Sequence, residues 1–253
     1  NTATATAQFS GAGKTITGTI DGLAATEGTI TVSGTGTTTF VNAIGATYRP
    51  SQLTINGATT FQAAVKTDAL TTTAAISNGT SLDVSGTSSL GGDVTTSGTQ
   101  TYTGAVTITG STVTRTLTTT SSAINFASTV SSSSSNANSL TFGSGTGTAT
   151  FTGAVGSGAT GALGTITNDS AQTLIFSDAV TATTIANYGT LLFNASSAKT
   201  ISPAITDNGT TTVQVINSAD GAPGIITFSG NVAADTITIG TTTKAGSALF
   251  NGT

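Results

Sequence analysis

The sequence predicts an all-β protein, a parallel β-helix or β-solenoid with coils of about 21–27 residues. Three observations lead there. Ser, Thr and Gly supply about half of the 253 residues (29, 62 and 32). Thr, Val and Ile favour strands, and Gly and Thr disfavour helices. Charged residues make up only 6% and hydrophobic ones 36%, unlike the high-charge, low-hydrophobicity signature of disordered chains. Finally, a large apolar residue is followed four positions later by Val or Ile, repeatedly and at nearly constant spacing.

The clearest pairs are Phe40 with Ile44, Phe61 with Val65, Leu90 with Val94, Tyr102 with Val106, Phe126 with Val130, Phe151 with Val155, Phe176 with Val180, Ile201 with Ile205 and Phe228 with Val232. From Tyr102 onward the first members fall at positions 102, 126, 151, 176, 201 and 228, an almost constant step. Before it the steps are irregular, from 40 to 61 and from 61 to 102, and the Leu90 pair interrupts them. A β-sandwich-type module, which also repeats short alternating strands, is the alternative fold. Nothing in a sandwich would hold one pair pattern at a fixed period, whereas stacked coils place like residues over like.

Taken in order, residues 1–27 fit the repeat poorly and read as an N-terminal cap or assembly strand, ahead of a repeat domain at 28–253. Strand-like pieces follow: "GTITVSG" (28–34), "QLTINGA" (52–58), "SLDVSGT" (81–87), "SLTFGSG" (139–145), "QTLIFSD" (172–178), "TLLFNAS" (190–196) and "TTVQVIN" (211–217). Most are stopped by Gly, Asn or Asp, which supply turn conformations. The polar run "STVSSSSSNANS" (128–139) reads as a loop bulging from a corner. The residue midway through each pair is small at Ala63, Gly92, Gly104, Ser128, Gly153 and Gly230, and is Asn42, Asp178 or Pro203 elsewhere. Either the pair lies within one strand, where i and i+4 share a face, or the middle residue turns a corner. The turn formers Asn, Asp and Pro lean toward the corner.

The stretches "TFTGAV" (150–155), "IFSDAV" (175–180) and "IITFSGNVAADTITIG" (225–240) resemble repeats of large bacterial surface proteins, namely autotransporter passenger domains and β-rich surface-layer proteins. The resemblance covers most of residues 28–250. It implies export to the bacterial cell surface and a right-handed β-helix or related module. No C-terminal membrane barrel accompanies the repeats, and the Gly-Gly-x-Gly-x-Asp calcium repeat of secreted bacterial proteins is absent from the sequence.

With no His and no Cys, His-dependent triads and ordinary zinc sites are excluded. "GAGKT" (11–15) echoes a phosphate loop but has Gln8 where the first Gly is required. The ten acids form no close pair in sequence, there is no Trp, and only Tyr48, Tyr102 and Tyr188 could serve as sugar platforms. The chain is therefore not expected to be an enzyme, and calcium is the one cofactor to consider. Its candidate ligands are Asp169 in "NDS", Asp207 in "TDNG" and Asp220 in "SADGAPG". Carboxylates in turns can ligate calcium, yet Asp there more commonly bonds its own backbone.

The net charge is −4 and the six cations lie far apart, which excludes nucleic-acid binding by counterion displacement. No apolar run approaches the roughly 20 residues of a membrane helix. The lack of any Met points to a mature chain or internal fragment. The expected function is a structural component of a bacterial cell exterior, self-assembling into a surface layer, sheath or filament. The expected partners are copies of itself, with host or cell-surface glycans as further candidates. The alternative is an adhesin or passenger stalk. An ice-binding solenoid is a third reading, prompted by frequent Thr-x-Thr; it would need coils of constant length, and these vary.

Overall fold

A computed structural model describes residues 5–145, 147–158, 161–169, 172–217, 224–241 and 244–252. These residues form 29 short strands and no helix. Every strand pairing among them is parallel, and the chain winds as a three-sided solenoid. The first face carries seven strands, from Thr6–Phe9 to Val130–Ser132. It continues through single bridges at Val155 and Val180 into Lys199–Ile201, Ile226–Phe228 and Ala248–Phe250. The second face carries ten strands, from Thr15–Ile16 to Ala204–Asp207, and bridges on to Val232. The third starts with bridges at Ile20 and Ile44 and carries nine strands, from Val65–Thr67 to Thr236–Ile239. The solenoid expectation holds, and the sandwich does not.

Each Phe-x-x-x-Val pair spans a corner. Phe151 lies on the third face and Val155 on the first; Phe40 lies on the second and Ile44 on the third; Leu90 lies on the first and Val94 on the second. The corner alternative is therefore the correct one. Large side chains enter the core from two adjacent walls, and a compact residue lets the backbone turn between them. The Leu90 pair is a real corner, with both residues fully buried.

The even spacing hides a change of wall. Tyr102, Phe126, Phe151 and Phe176 stack on the third face, but Ile201 and Phe228 lie on the first. The residue stacked on Phe176 is Phe193, well short of one full period later. Coils within the expected range make up most of the stack. They are several residues shorter where Leu53, Leu70, Ser88 and Val106 form successive rungs of the first face. There each of the three sides is a short strand and each corner only a few residues.

The core is a continuous apolar cluster running from Ile30 to Phe228. Along the third face the rings of Tyr102, Phe126, Phe151, Phe176 and Phe193 form a ladder with centroids 4.8–5.4 Å apart. This spacing follows from in-register parallel strands. Phe142 meets the ladder edge-on from the second face. Tyr102 is fully buried, so burial pushes its phenol far above the ordinary value. Its hydroxyl donates to Gln100 Oε1 at 3.0 Å, and Gln100 Nε2 donates to the Val94 and Thr118 carbonyls. Gln100 and Tyr102 thus enter this core in hydrogen-bonded form, whereas the buried hydroxyls of Thr38 and Ser88 have no partner.

Candidate functional site

Outward-facing positions on the strands are dominated by Thr and Ser. On the first face Gln8, Thr31, Thr54, Thr71, Ser89, Thr107 and Ser131 form one unbroken column. On the third, Thr148, Thr173, Thr190, Thr212 and Thr236 form another. The changes in coil length fall in the corners, so these columns stay in register. The neighbouring column on the first face does not match: Thr29 is followed by Gln52 and Ala69. A two-column Thr lattice is therefore not formed there.

The corner from the second to the third face is repeatedly closed by a polar side chain just before the turn. Asn78 Nδ2 donates to the Ser81 carbonyl at 2.9 Å, while its Oδ1 accepts from the Thr80 amide at 2.8 Å. Thr96 and Thr119 donate to the Gly98 and Ser122 carbonyls, each at 2.5 Å. Asn187 accepts from the Gly189 amide at 3.2 Å, and Asn168 Nδ2 donates to Asn187 Oδ1 at 2.9 Å. These clamps did not stand out in the sequence. Their signal is Asn or Asp followed within two positions by Gly, as at 78–79, 187–189 and 207–209.

Asp207 belongs to this set. It is exposed at the end of strand Ala204–Asp207, and its Oδ1 accepts from the Gly209 amide at 3.2 Å. Asn168, Asn187 and Asp207 are successive rungs of one column, which places half-buried Asp169 two coils from Asp207. Asp220 lies outside the described residues. Among the described residues no group of three or more His, Cys, Asp or Glu side chains converges in a metal-binding arrangement. Asp207→Asn keeps the turn acceptor and is expected to change the unfolding free energy by less than ~0.5 kcal/mol, whereas Asp207→Ala loses about 0.5–1.5 kcal/mol. Millimolar calcium is expected to leave the parent melting midpoint unchanged. A calcium-dependent rise that Asp207→Asn abolishes would establish the metal reading instead.

Two ion pairs tie coils together, Lys199–Asp178 between adjacent coils and Arg49–Asp83 across an intervening one. Arg49 Nη2 meets Asp83 Oδ2 at 2.5 Å, and its Nη1 donates to the Asp83 carbonyl at 3.0 Å. Lys199 meets Asp178, one of the corner residues, at 2.7 Å. Burial pushes the Asp178 carboxyl up, but hydrogen bonds from Lys199 and the Ala179 amide, with the Lys199 charge, hold it below its ordinary value. A depressed carboxyl stabilises the fold above its unfolded pKa, near pH 4, and loses that effect as pH falls through the folded value. Lys199→Gln is expected to cost about 0.2–1 kcal/mol at neutral pH, typical of a partly exposed pair. In urea melts the gap between parent and variant should narrow as the pH falls below about 4. A gap independent of pH would mean that Lys199 acts through packing alone.

Among the described residues, strands Thr6–Phe9 and Thr15–Ile16 each pair on one side only, as do Thr236–Ile239 and Ala248–Phe250. At the first end lies a hollow of about 700 Å³, lined among others by Ala7, Ile20, Leu23 and Ile30. Leu23 is 91% exposed; at the far end Phe250 is 41% and Ile239 49% exposed. Among the described residues no helix is long and apolar enough to cross a membrane. No family model, curated protein or solved structure matches the chain.

Proposed function

We propose that the chain is a structural component of a bacterial cell exterior that assembles with copies of itself into a surface layer, sheath or filament. The observation carrying this reading is the uninterrupted three-sided stack of parallel strands, with columns of Thr and Ser along its outer faces. Its twelve rungs on the first face span about 50 Å at the spacing of parallel strands. The outer faces, bearing Thr and Ser rather than a cluster of ionisable groups, suit a building element better than a catalyst. The extracellular assignment and any glycan contacts rest on the repeat resemblance and the low charge.

The test is concentration-dependent sedimentation of the 253-residue chain, with electron microscopy of the same samples. Ordered filaments or sheets are expected. A chain that remains monomeric at high concentration would favour the stalk of an adhesin or passenger domain, whose binding region lies elsewhere.

A further inference from the structure

Asn-Gly pairs occur in the sequence at residues 56, 78, 208 and 251. Such a pair is chemically labile, because Gly carries no Cβ to keep its own nitrogen from approaching the asparagine amide carbon. The three pairs at 56, 78 and 208 lie along the body of the stack, and the fold holds them differently.

Two of them are tied to the preceding coil through the glycine nitrogen. Gly79 donates its N–H to the Phe61 carbonyl at 2.7 Å. The Asn78 side chain is buried, and both ends of its carboxamide are engaged, with the Ser81 carbonyl and the Thr80 amide. Gly57 is buried and donates to the Val32 carbonyl at 3.2 Å. A Cβ on it would lie 2.4 Å from the Gly34 carbonyl oxygen, so it is pinned between coils. Asn56 Oδ1 accepts from the Thr73 hydroxyl at 3.0 Å.

The third pair sits in the turn between strands Ala204–Asp207 and Thr212–Asn217, where residues 206–210 are all exposed. The Asn208 N–H is anchored to the Asn187 carbonyl at 3.0 Å. The Gly209 N–H instead points at a carboxylate, Asp207 Oδ1, at 3.2 Å. Nothing lies within 4 Å of a Cβ position on Gly209, so the turn has room to move. Thr206 holds the Asn208 carboxamide, accepting from its Nδ2 at 2.8 Å through Oγ1. A nitrogen nucleophile, an amide carbon and a proton acceptor thus occupy consecutive residues.

We infer that Asp207-Asn208-Gly209 is a self-modifying turn, in which Asn208 deamidates while the folded stack protects Asn56 and Asn78. Asp207 takes the Gly209 N–H proton as the nitrogen attacks Asn208 Cγ, the part a neighbouring base plays for a weak nucleophile. The N–Cγ bond forms and the Cγ–Nδ2 bond breaks. The proton passes from Asp207 to the departing nitrogen, which leaves as ammonia. Water then opens the cyclic imide at one carbonyl or the other, leaving an aspartate or its β-linked isomer in place of Asn208. Either product sets a new negative charge beside Asp207, and the β-linked one also lengthens the backbone of the turn. The reaction is one-way and independent of assembly, so it records the age of a long-lived surface protein.

The test is peptide mapping by mass spectrometry after prolonged incubation at mildly alkaline pH, with isoaspartyl methyltransferase labelling to count the β-linked product. Asn251→Gln removes the fourth pair throughout. In the folded chain Asn208 is expected to convert while Asn56 and Asn78 stay intact; in urea all three should convert. Asp207→Asn keeps an acceptor oxygen in the turn but not the base. It is expected to slow conversion of Asn208 by about tenfold or more in the folded chain, a modest share of what a positioned base contributes, and to have little effect in urea. Gly209→Ala should slow it in both states. An intact Asn208 in the folded chain, equal conversion at Asn56 or Asn78, or a folded-state rate unmoved by Asp207→Asn would each overturn the inference.

Discussion

Replacing Phe151 with Ala is expected to lower the stability of the chain by about 3–5 kcal/mol, as large-to-small substitutions of core aromatics do. Phe151 is fully buried at the middle of the ring ladder. Its centroid lies 4.8 Å from Phe126 and 4.9 Å from Phe176, nearly parallel to both, and 5.7 Å from Phe142, edge-on. The substitution removes apolar area and three ring contacts together, each contact worth about 0.5–1.5 kcal/mol beyond area. The hole cannot easily collapse, because the strands on either side are held in register by neighbouring coils.

The location makes the effect more than a loss of free energy. In a stack, each coil is stabilised mainly through its interfaces with the coils before and after it. Weakening a central interface is therefore expected to split unfolding into two transitions, one for each half. Denaturant melts followed by circular dichroism would show this as a broadened or biphasic curve. Phe250→Ala, at the end and 41% exposed, should cost much less and leave a single transition. A loss below about 1 kcal/mol for Phe151→Ala would be inconsistent with a packed ladder.

The ladder also shows how far the sequence could be read. Phe151 and Phe176 stand one dominant period apart and do stack. Phe176 and Ile201 stand the same distance apart in sequence yet lie on different faces. Spacing along a chain reports position around a coil only when the corners are equally long, and corner length carries little hydrophobic signal. The strands themselves were legible, since Thr, Val and Ile alternate with the pleat. The shortened coils between Leu53 and Val106 were not, because Thr67, Thr72 and Ser88 occupy inward positions that a hydrophobic template leaves empty. Of the calcium candidates, Asp207 is explained locally by its bond to the Gly209 amide.

Substitution of Gly92 by Ala is expected to destabilise the chain by roughly 1–3 kcal/mol or more, despite adding a single methyl group. Gly92 is the buried corner residue between Leu90 on the first face and Val94 on the second. A Cβ there would lie 2.0 Å from the Ala74 carbonyl oxygen, 2.4 Å from its carbon and 3.0 Å from the Ala75 amide nitrogen. All three belong to the backbone of the preceding coil, so no side chain can rotate away to make room. Relief requires the two coils to separate, and the pairings Leu90–Thr72 and Val94–Ile76 on either side oppose that. Gly209 is the matched comparison, with nothing within 4 Å of its Cβ position. Gly209→Ala should be neutral or stabilising by about 0.4–1 kcal/mol through reduced freedom of the unfolded chain. Melts of the two variants beside the parent decide the matter. If Gly92→Ala were as well tolerated as Gly209→Ala, the small residue at the centre of each corner would owe its place to turn propensity and not to contact between coils.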